Sequence, residues 1–251
     1  MPVEPSISVI VPAYNEARRI EQTVVGIGRY LEQRFPSHEL IVWADGDDGT
    51  RERVAALAAV DPRIVVGGTE VRRGKGRGIR EGVALAHGNI VGFADADNKT
   101  PIEDLDLLLP WFDRGYDIVI GSRALKDSRV EVAQPKYRQL GSIGFTIAMH
   151  AIVGLREIHD TQCGFKFFTR EVARDLFHRQ KVDGYMFDVE VLYLAQRAGY
   201  RIKEVGIRWR DDGDSRLQLV AGNWQNMKDL FRVRFRTYEQ ASSKQALVTS
   251  D

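Results

Sequence analysis

Apolar residues along the first half of the chain gather in short β-rich runs. Each run gives way to a stretch in which they recur every three to four positions. Ser6-Ile7-Ser8-Val9-Ile10-Val11-Pro12 predicts a central strand ended by proline. Ile20, Val24, Ile27 and Leu31 then mark one face of a helix that opens at Ala13-Tyr14-Asn15-Glu16. Leu40-Ile41-Val42-Trp43 predicts a second strand, and an alanine-rich helix follows to Val60 and stops at Asp61-Pro62. Ile64-Val65-Val66 is a third strand. A basic, glycine-rich loop over 72–78 leads into a helix through His87. Asn89-Ile90-Val91-Gly92-Phe93-Ala94 is a buried fourth strand, and Asp117-Ile118-Val119-Ile120 a fifth. Between these two, Thr100 as N-cap, Pro101 at the first helical position and Glu103 closing a capping box predict a helix start.

Strands alternating with helices through short links predict an α/β fold. Its central sheet is mostly parallel and covered by helices on both faces. After Arg123 the pattern changes. A turn-rich basic segment is followed by a predicted helix over 135–153, a helix over 186–198, an alternating stretch over 201–209 that reads as a paired strand, and an acidic loop over 211–214. No linker or repeat interrupts the chain, so residues 1–221 read as one domain with halves 6–122 and 123–221. From 222 the pattern is helical: Trp224, Met227, Phe231, Phe235 and Tyr238 form one stripe, with Lys228, Arg232 and Arg236 beside it. Such a helix packs its stripe on the protein's own core or lies on an anionic membrane. Residues 222–251 are this helix and a polar tail.

Composition narrows the class. The chain has 251 residues, 43% of them hydrophobic and 28% charged, as expected for one large soluble α/β domain. A net charge of +1 gives no global case for a nucleic-acid partner. The single cysteine, Cys163, excludes an internal disulfide and fits a reducing compartment. The histidines at 38, 87, 150, 159 and 178 lack zinc-site spacing. No signal pattern opens the chain, and the longest apolar window, 143–155, is too short to span a bilayer. The expected location is the cytoplasm, with peripheral contact at the cytoplasmic face of the membrane.

Chemistry converges on one edge of the predicted sheet. Ligands in such sheets bind beyond the carboxyl ends of the strands, where the loops carry Tyr14 and Glu16, Asp45 and Asp47, and Asp95 and Asp97. If Asp95 and Asp97 continue the fourth strand, they share a face with Cα atoms roughly 6.5–7 Å apart. Two acids this close repel unless a cation lies between them or one holds a proton. A hard cation held by one or two carboxylates takes the rest of its shell from substrate phosphates, which describes a diphosphate leaving group neutralised by a Lewis acid. Arg123, Arg138 and Arg216 suggest a second anionic substrate, since arginine matches phosphate bidentately. Gly74-Lys75-Gly76-Arg77-Gly78 fails the Walker and dinucleotide spacings, because Thr69 stands five before Gly74 and a glycine follows Lys75. The loop is read as offering Lys75 or Arg77 to a diphosphate.

Seven ordered motifs carry a resemblance. They are Pro12-Ala13-Tyr14-Asn15-Glu16, Asp45-Gly46, Gly74-Lys75-Gly76, Asp95-Ala96-Asp97, Gly121-Ser122-Arg123, the run over 160–166, and Phe187-Asp188-Val189-Glu190. In this order they resemble the inverting glycosyltransferases of the GT-A fold, in the group of dolichyl-phosphate β-glucosyltransferases and polyprenyl-phosphate glycosyltransferases. The resemblance implies a Rossmann-like GT-A domain with a small antiparallel extension on the acceptor side. It also implies a nucleotide-sugar donor, Mg²⁺ or Mn²⁺, and a polyprenyl phosphate acceptor. By matching position it assigns Pro12, Tyr14, Glu16 and Asp45 to the nucleoside. Asp95 and Asp97 fall to ribose, metal and diphosphate, and Asp97 is the acid expected on the metal. Arg123, Arg138 and Arg216 fall to the acceptor phosphate.

The run Asp160-Thr161-Gln162-Cys163-Gly164-Phe165-Lys166 is closer to glucosyl than to mannosyl members, which favours UDP-glucose over GDP-mannose. Three departures from the pattern stand out. The Asp45 turn is one residue short, Lys99 replaces a glutamine common in mannosyl relatives, and no apolar anchor follows the domain. Membrane contact then falls to the 222–238 helix and the 143–155 window. A phosphate acceptor is largely dianionic at neutral pH and attacks without a base. A hydroxyl acceptor needs one, and Asp188 is the candidate, with Glu190 as helper. Two readings from other classes stay open at this stage, a sugar nucleotidyltransferase and a non-catalytic nucleotide-sugar binder.

Overall fold

The computed structural model describes residues 6–132, 149–210 and 221–239. Its framework is a seven-stranded sheet built from β1 (Ile7–Tyr14), β2 (His38–Asp45), β3 (Ile64–Gly67), β4 (Ile90–Ala94), β5 (Ile118–Ser122), β7 (Phe165–Thr169) and β8 (Ile202–Gly206), in the order β3-β2-β1-β4-β7-β5-β8. All neighbours pair parallel except β7, which runs antiparallel between β4 and β5. The predicted mostly parallel α/β sheet is present, and its antiparallel element lies inside the sheet. A separate two-stranded ribbon, β6 (Arg129–Val132) with β9 (Arg208–Arg210), is parallel.

Side-chain alternation splits the core in two. Ile7, Val9 and Val11 of β1 face one side and pack against α1 (Ile20–Arg34), α2 (Thr50–Ala58) and α4 (Leu105–Phe112). Ile10 faces the other, toward α3 (Lys75–Leu85), α5 (Arg170–Arg179), α6 (Phe187–Ala198) and α7 (Ala221–Phe235). Each fully buried aliphatic or aromatic side chain contributes roughly 1.5–3 kcal/mol, so the two layers fix the sheet that carries the loops.

Four local expectations change. Strand β1 runs through Pro12 to Tyr14, because its pairing with β4 ends at Ile10 opposite Phe93 and proline is tolerated where a strand has lost one neighbour. The helix expected from Thr100 begins later. Pro101 is extended, a 3-10 turn spans Ile102–Asp104, and α4 starts at Leu105 without a side-chain cap. The glycine-rich basic run is half loop and half helix, since α3 already starts at Lys75. Strand β7 and helix α5 have no counterpart in the predicted elements: Phe165-Lys166-Phe167-Phe168 is buried on both faces and so shows no alternation. Most of the helix predicted over 135–153, and the loop over 211–214, lie outside the described residues.

Helix α7 divides its aromatic stripe. Leu230 and Val233 are in the core, Met227 and Tyr238 pack at its margin, and Phe231 and Phe235 face outward at 49% and 76% exposure.

Candidate active site

The order of strands reverses at β1. Strands β2 and β3 extend the sheet one way, while β4 lies on the other side. That reversal is a topological switch point, where ligands bind in open α/β sheets. Pairing of β1 with β2 continues to Tyr14 opposite Asp45, whereas pairing with β4 stops at Ile10 opposite Phe93. A crevice therefore opens between the end of β1 and the turn after β4.

Asp95 and Asp97 stand in that turn. They do not continue the strand, as the sequence pattern suggests; β4 ends at Ala94, and the Asn98 amide donates to the Asp95 carbonyl across 3.2 Å. Asn98 takes a positive φ of 53°, which ends extended geometry. The two acids still meet electrostatically. Burial and the charge of Asp95 push the Asp97 carboxyl up, and Lys99 and Lys75 partly oppose them. Gly164 makes the approach of Asp95 to the sheet feasible, because a Cβ there would overlap its carboxylate.

Cations answer these acids. Lys75 Nζ lies 2.6 Å from Asp95 Oδ1, and Lys99 Nζ lies 3.6 Å from Asp97 Oδ2. Burial alone would lower the Lys75 pKa, but Asp95, Asp188 and Asp97 together raise it above the ordinary lysine range. Gly74 caps α3 at φ 108° with the Asp183 carbonyl packed against it, where a side chain would clash. Arg77 N–H donates to the same carbonyl (3.2 Å) and Arg80 pairs with the Asp183 carboxylate (2.8 Å), which pins the start of the helix.

Deeper in, Lys166 Nζ lies 2.6 Å from Asp188 Oδ1 and also donates to the Cys163 carbonyl, with its ammonium 5.6 Å from the Phe93 ring. Burial raises the Asp188 carboxyl, and the charges of Lys166 and Lys75 counter it. Glu190 does not assist Asp188. It accepts from the Lys181 and Val182 amides at 3.0 and 2.7 Å and from the Tyr238 hydroxyl at 2.8 Å, so it anchors a turn and the C-terminal segment.

The expected nucleoside residues sit at or just beyond the carboxyl ends of β1 and β2. Pro12, Tyr14 and Glu16 are partly exposed. The Arg72 guanidinium sits 4.5 Å from the Tyr14 ring centre and donates to the Tyr185 hydroxyl across 3.0 Å. Glu16 pairs with Arg19 at 3.0 Å, and its amide donates to Thr50 Oγ1. Asp45 is 5% exposed and accepts from the Thr69 amide and hydroxyl and from the Arg73 amide, so its carboxylate shapes the loop that leads to Lys75. Arg72, Arg73, Gly74, Lys75, Gly184 and Tyr185 line a cavity of about 270 Å³ beside it.

Arg123 follows β5 at the same edge and is held by Asp160. Nε donates to Oδ2 at 2.7 Å, Nη2 to Oδ1 at 2.8 Å, and the Arg123 amide to Oδ2 at 2.9 Å. Burial would raise Asp160, but the bonds and charge of Arg123 bring it below the usual carboxylate range. Three guanidinium N–H groups remain beyond those two bonds. Arg138 and Arg216 lie outside the described residues. Sequence reasoning missed Lys166 and Asp160 as partners of Asp188 and Arg123. The available signal was a lysine set within a run of phenylalanines.

The residues fit a hard divalent cation. Asp95 and Asp97 offer only oxygen donors, Asp95 is 39% exposed, and two carboxylates suffice when phosphates complete the shell. No cluster of three or more such ligands occurs among the described residues.

The mostly parallel α/β sheet, with one antiparallel strand inside it, has the GT-A fold of glycosyltransferases. The chain belongs to glycosyl transferase family 2, whose model matches residues 8–177, and it is an enzyme of that class. It is 33% identical over 243 residues to the dolichyl-phosphate beta-glucosyltransferase of Dictyostelium discoideum, covering 92% of this chain and 74% of that protein. It is 35% identical over 247 residues to the Drosophila melanogaster protein of the same name, covering 90% and 74%. Among solved structures, glucosyl-3-phosphoglycerate synthase of Mycobacterium tuberculosis in complex with Mn2+, uridine-diphosphate and glucosyl-3-phosphoglycerate superposes with a TM-score of 0.65 at 23% identity. That match covers 92% of this chain and 80% of the other, a likeness of fold.

Proposed function

We propose that the enzyme transfers glucose from UDP-glucose to a polyprenyl phosphate of the dolichyl type, with inversion, using Mg²⁺ or Mn²⁺. The relatives named for glucosyl transfer to dolichyl phosphate, at 33–35% identity, support the sugar and the acceptor. The neighbour bound to Mn2+ and uridine-diphosphate is consistent with the donor and the metal. In this reading Pro12, Tyr14 and Glu16 hold the nucleoside directly, Asp45 acts through the loop it orders, and Lys75 meets the diphosphate. Asp95 and Asp97 would hold the cation, with Asp97 the main ligand. When bound, the cation supplies Lewis-acid neutralisation of the departing diphosphate.

The observation that carries the choice of acceptor is the pairing of the acids in the crevice. Asp95, Asp97, Asp160 and Asp188 each face a lysine or arginine within 3.6 Å. An acceptor hydroxyl would need a base within reach of it; Asp188, the candidate, is 3% exposed and its Oδ1 accepts from Lys166 Nζ. A phosphate brings its own charge, so Asp188 is a positioning residue that sets the floor of the site through Lys166. Arg123, oriented by Asp160, is the described candidate for the acceptor phosphate, with Arg138 and Arg216 proposed beside it.

The enzyme works at a membrane surface in this reading, through the outward Phe231 and Phe235 of α7. No helix among the described residues is long and apolar enough to cross a membrane. The deciding experiment is a panel of UDP- and GDP-sugars against a short polyprenyl phosphate, with and without Mg²⁺ or Mn²⁺, read as released nucleotide diphosphate and glycosylated lipid. Glucosyl lipid formed from UDP-glucose alone among the donors is the expected result. Mannosyl lipid from GDP-mannose, or transfer only to a soluble hydroxyl, overturns the assignment.

A further inference from the structure

Three of the four acids of the crevice face a lysine, and the fourth, Asp160, is neutralised by Arg123. Lys75 faces Asp95 at 2.6 Å, Lys99 faces Asp97 at 3.6 Å, and Lys166 faces Asp188 at 2.6 Å. Formally, three positive and three negative charges sum to zero. A divalent cation arriving alone would leave this partly buried region with two surplus positive charges, beside an ammonium that already shares Asp95. A sugar nucleotide carries one negative charge on each phosphate of its diphosphate, so cation and donor together return the region to neutrality.

The geometry points to Lys75 as the residue that makes cation binding at Asp95 and Asp97 conditional on the donor. The inference rests on the metal reading of those two acids and adds an order of binding to it. Lys75 is suited to the task because neither partner is loose. Its helix start is fixed by the Asp183 carbonyl and carboxylate, and Asp95 is seated against Gly164. The Lys75 and Asp95 side chains are 18% and 39% exposed, so solvent screens the repulsion between ammonium and metal only in part. Lys99 acts in the same sense more weakly. Its ammonium is a full ångström farther from its acid and also lies 6.0 Å from the Trp209 ring. By linkage, whatever factor UDP adds to metal affinity, the metal adds to UDP affinity.

Calorimetric titration of Mn²⁺, with and without UDP, tests this in the wild type and in Lys75→Met, Lys75→Arg and Lys99→Met. Thermal melts confirm that each variant is folded. Expected for the wild type is weak Mn²⁺ binding alone and much tighter binding with UDP. Lys75→Met should bind Mn²⁺ alone at least about tenfold more tightly, with the UDP enhancement reduced in proportion. Lys75→Arg should restore the wild-type coupling, and Lys99→Met should move it less than Lys75→Met does. Unchanged Mn²⁺ affinity in folded Lys75→Met, with UDP coupling intact in the wild type, overturns the inference and leaves the metal site standing. Absence of Mn²⁺ binding in the wild type even with UDP overturns the metal reading and this inference together.

Discussion

Lys166 and Asp188 form an ion pair sealed beneath the crevice, 2.6 Å apart with side chains only 1% and 4% exposed. Strand β7 supplies the lysine and the first turn of α6 the aspartate, so the pair rivets the antiparallel strand to the helix behind the site. Breaking such a pair costs more than removing both members, because the survivor is left charged in an apolar setting. Lys166→Met should destabilise the protein by about 3–5 kcal/mol at neutral pH. The double variant Lys166→Met/Asp188→Leu should recover most of that loss. The pH dependence has a definite sign. Burial raises the folded-state pKa of Asp188, and losing Lys166 raises it further. The Lys166→Met defect should therefore be small in acid, below the unfolded carboxylate range, and grow as pH rises through the folded value. Denaturant midpoints at several pH values measure this; equal loss in the single and double variants would remove the rivet.

Asp97 is the more buried acid of the turn, and its Oδ1 accepts from the Lys99 amide at a long 3.3 Å. Asp97→Ala should lower metal-dependent turnover by roughly 10²–10³-fold, the equivalent of several kcal/mol of lost Lewis-acid stabilisation. Steady-state rates across a Mn²⁺ series check it. The folded state should change little, since the residue sits in a turn outside the strand. Full metal-dependent activity in Asp97→Ala would refute the site assignment.

Much of this edge was legible in the sequence because it depends on strand ends. The apolar runs locate β1, β2, β4 and β5, and in a parallel sheet their carboxyl ends fall on one side, which brings Tyr14, Asp45 and Asp95 together from sequence alone. Partners that come from distant segments were not legible. Lys166 reads as an odd residue in an apolar run, and nothing local announces that β7 turns antiparallel and aims it at α6. Asp160 looks like a loop acid until the fold sets it against Arg123. Loop geometry also escaped the pattern. Asp95 and Asp97 meet through a turn rather than through strand alternation, and the helix start after Pro101 was delayed by a 3-10 turn that composition does not encode.

The Arg123–Asp160 pair predicts part of the acid limb of stability. Asp160 is held below the usual carboxylate range when folded and returns to about 3.9 when unfolded. Its contribution is complete above the unfolded value and is lost as pH falls through the folded one. Wild-type urea midpoints should therefore drop below about pH 4. Asp160→Asn should lower the neutral-pH midpoint and flatten that drop. A parallel downward shift with an unaltered acid limb would show that Asp160 does not titrate with folding.

Helix α7 presents its core face through Leu230 and Val233, and the opposite face carries Phe231 and Phe235, whose rings stack at 6.4 Å. Exposed Lys228, Arg232, Arg234 and Arg236 flank the pair. Asp229 is the acid within this stretch, and it is buried and paired with Arg232 at 3.0 Å. Exposed aromatics ringed by cations suit the interface of an anionic bilayer, where each basic residue adds about 1 kcal/mol. Replacing Lys228, Arg232 and Arg236 by glutamine should weaken binding to phosphatidylserine-containing vesicles by roughly 10²-fold. Phe231→Ser/Phe235→Ser should remove the binding that survives high salt, since salt screens the charges but not the apolar contact. Transfer to a short, water-soluble acceptor should be unaffected in both sets, because the substituted side chains are exposed on the outer face of α7. Co-sedimentation that both sets leave unchanged would show that the membrane is held by another part of the chain.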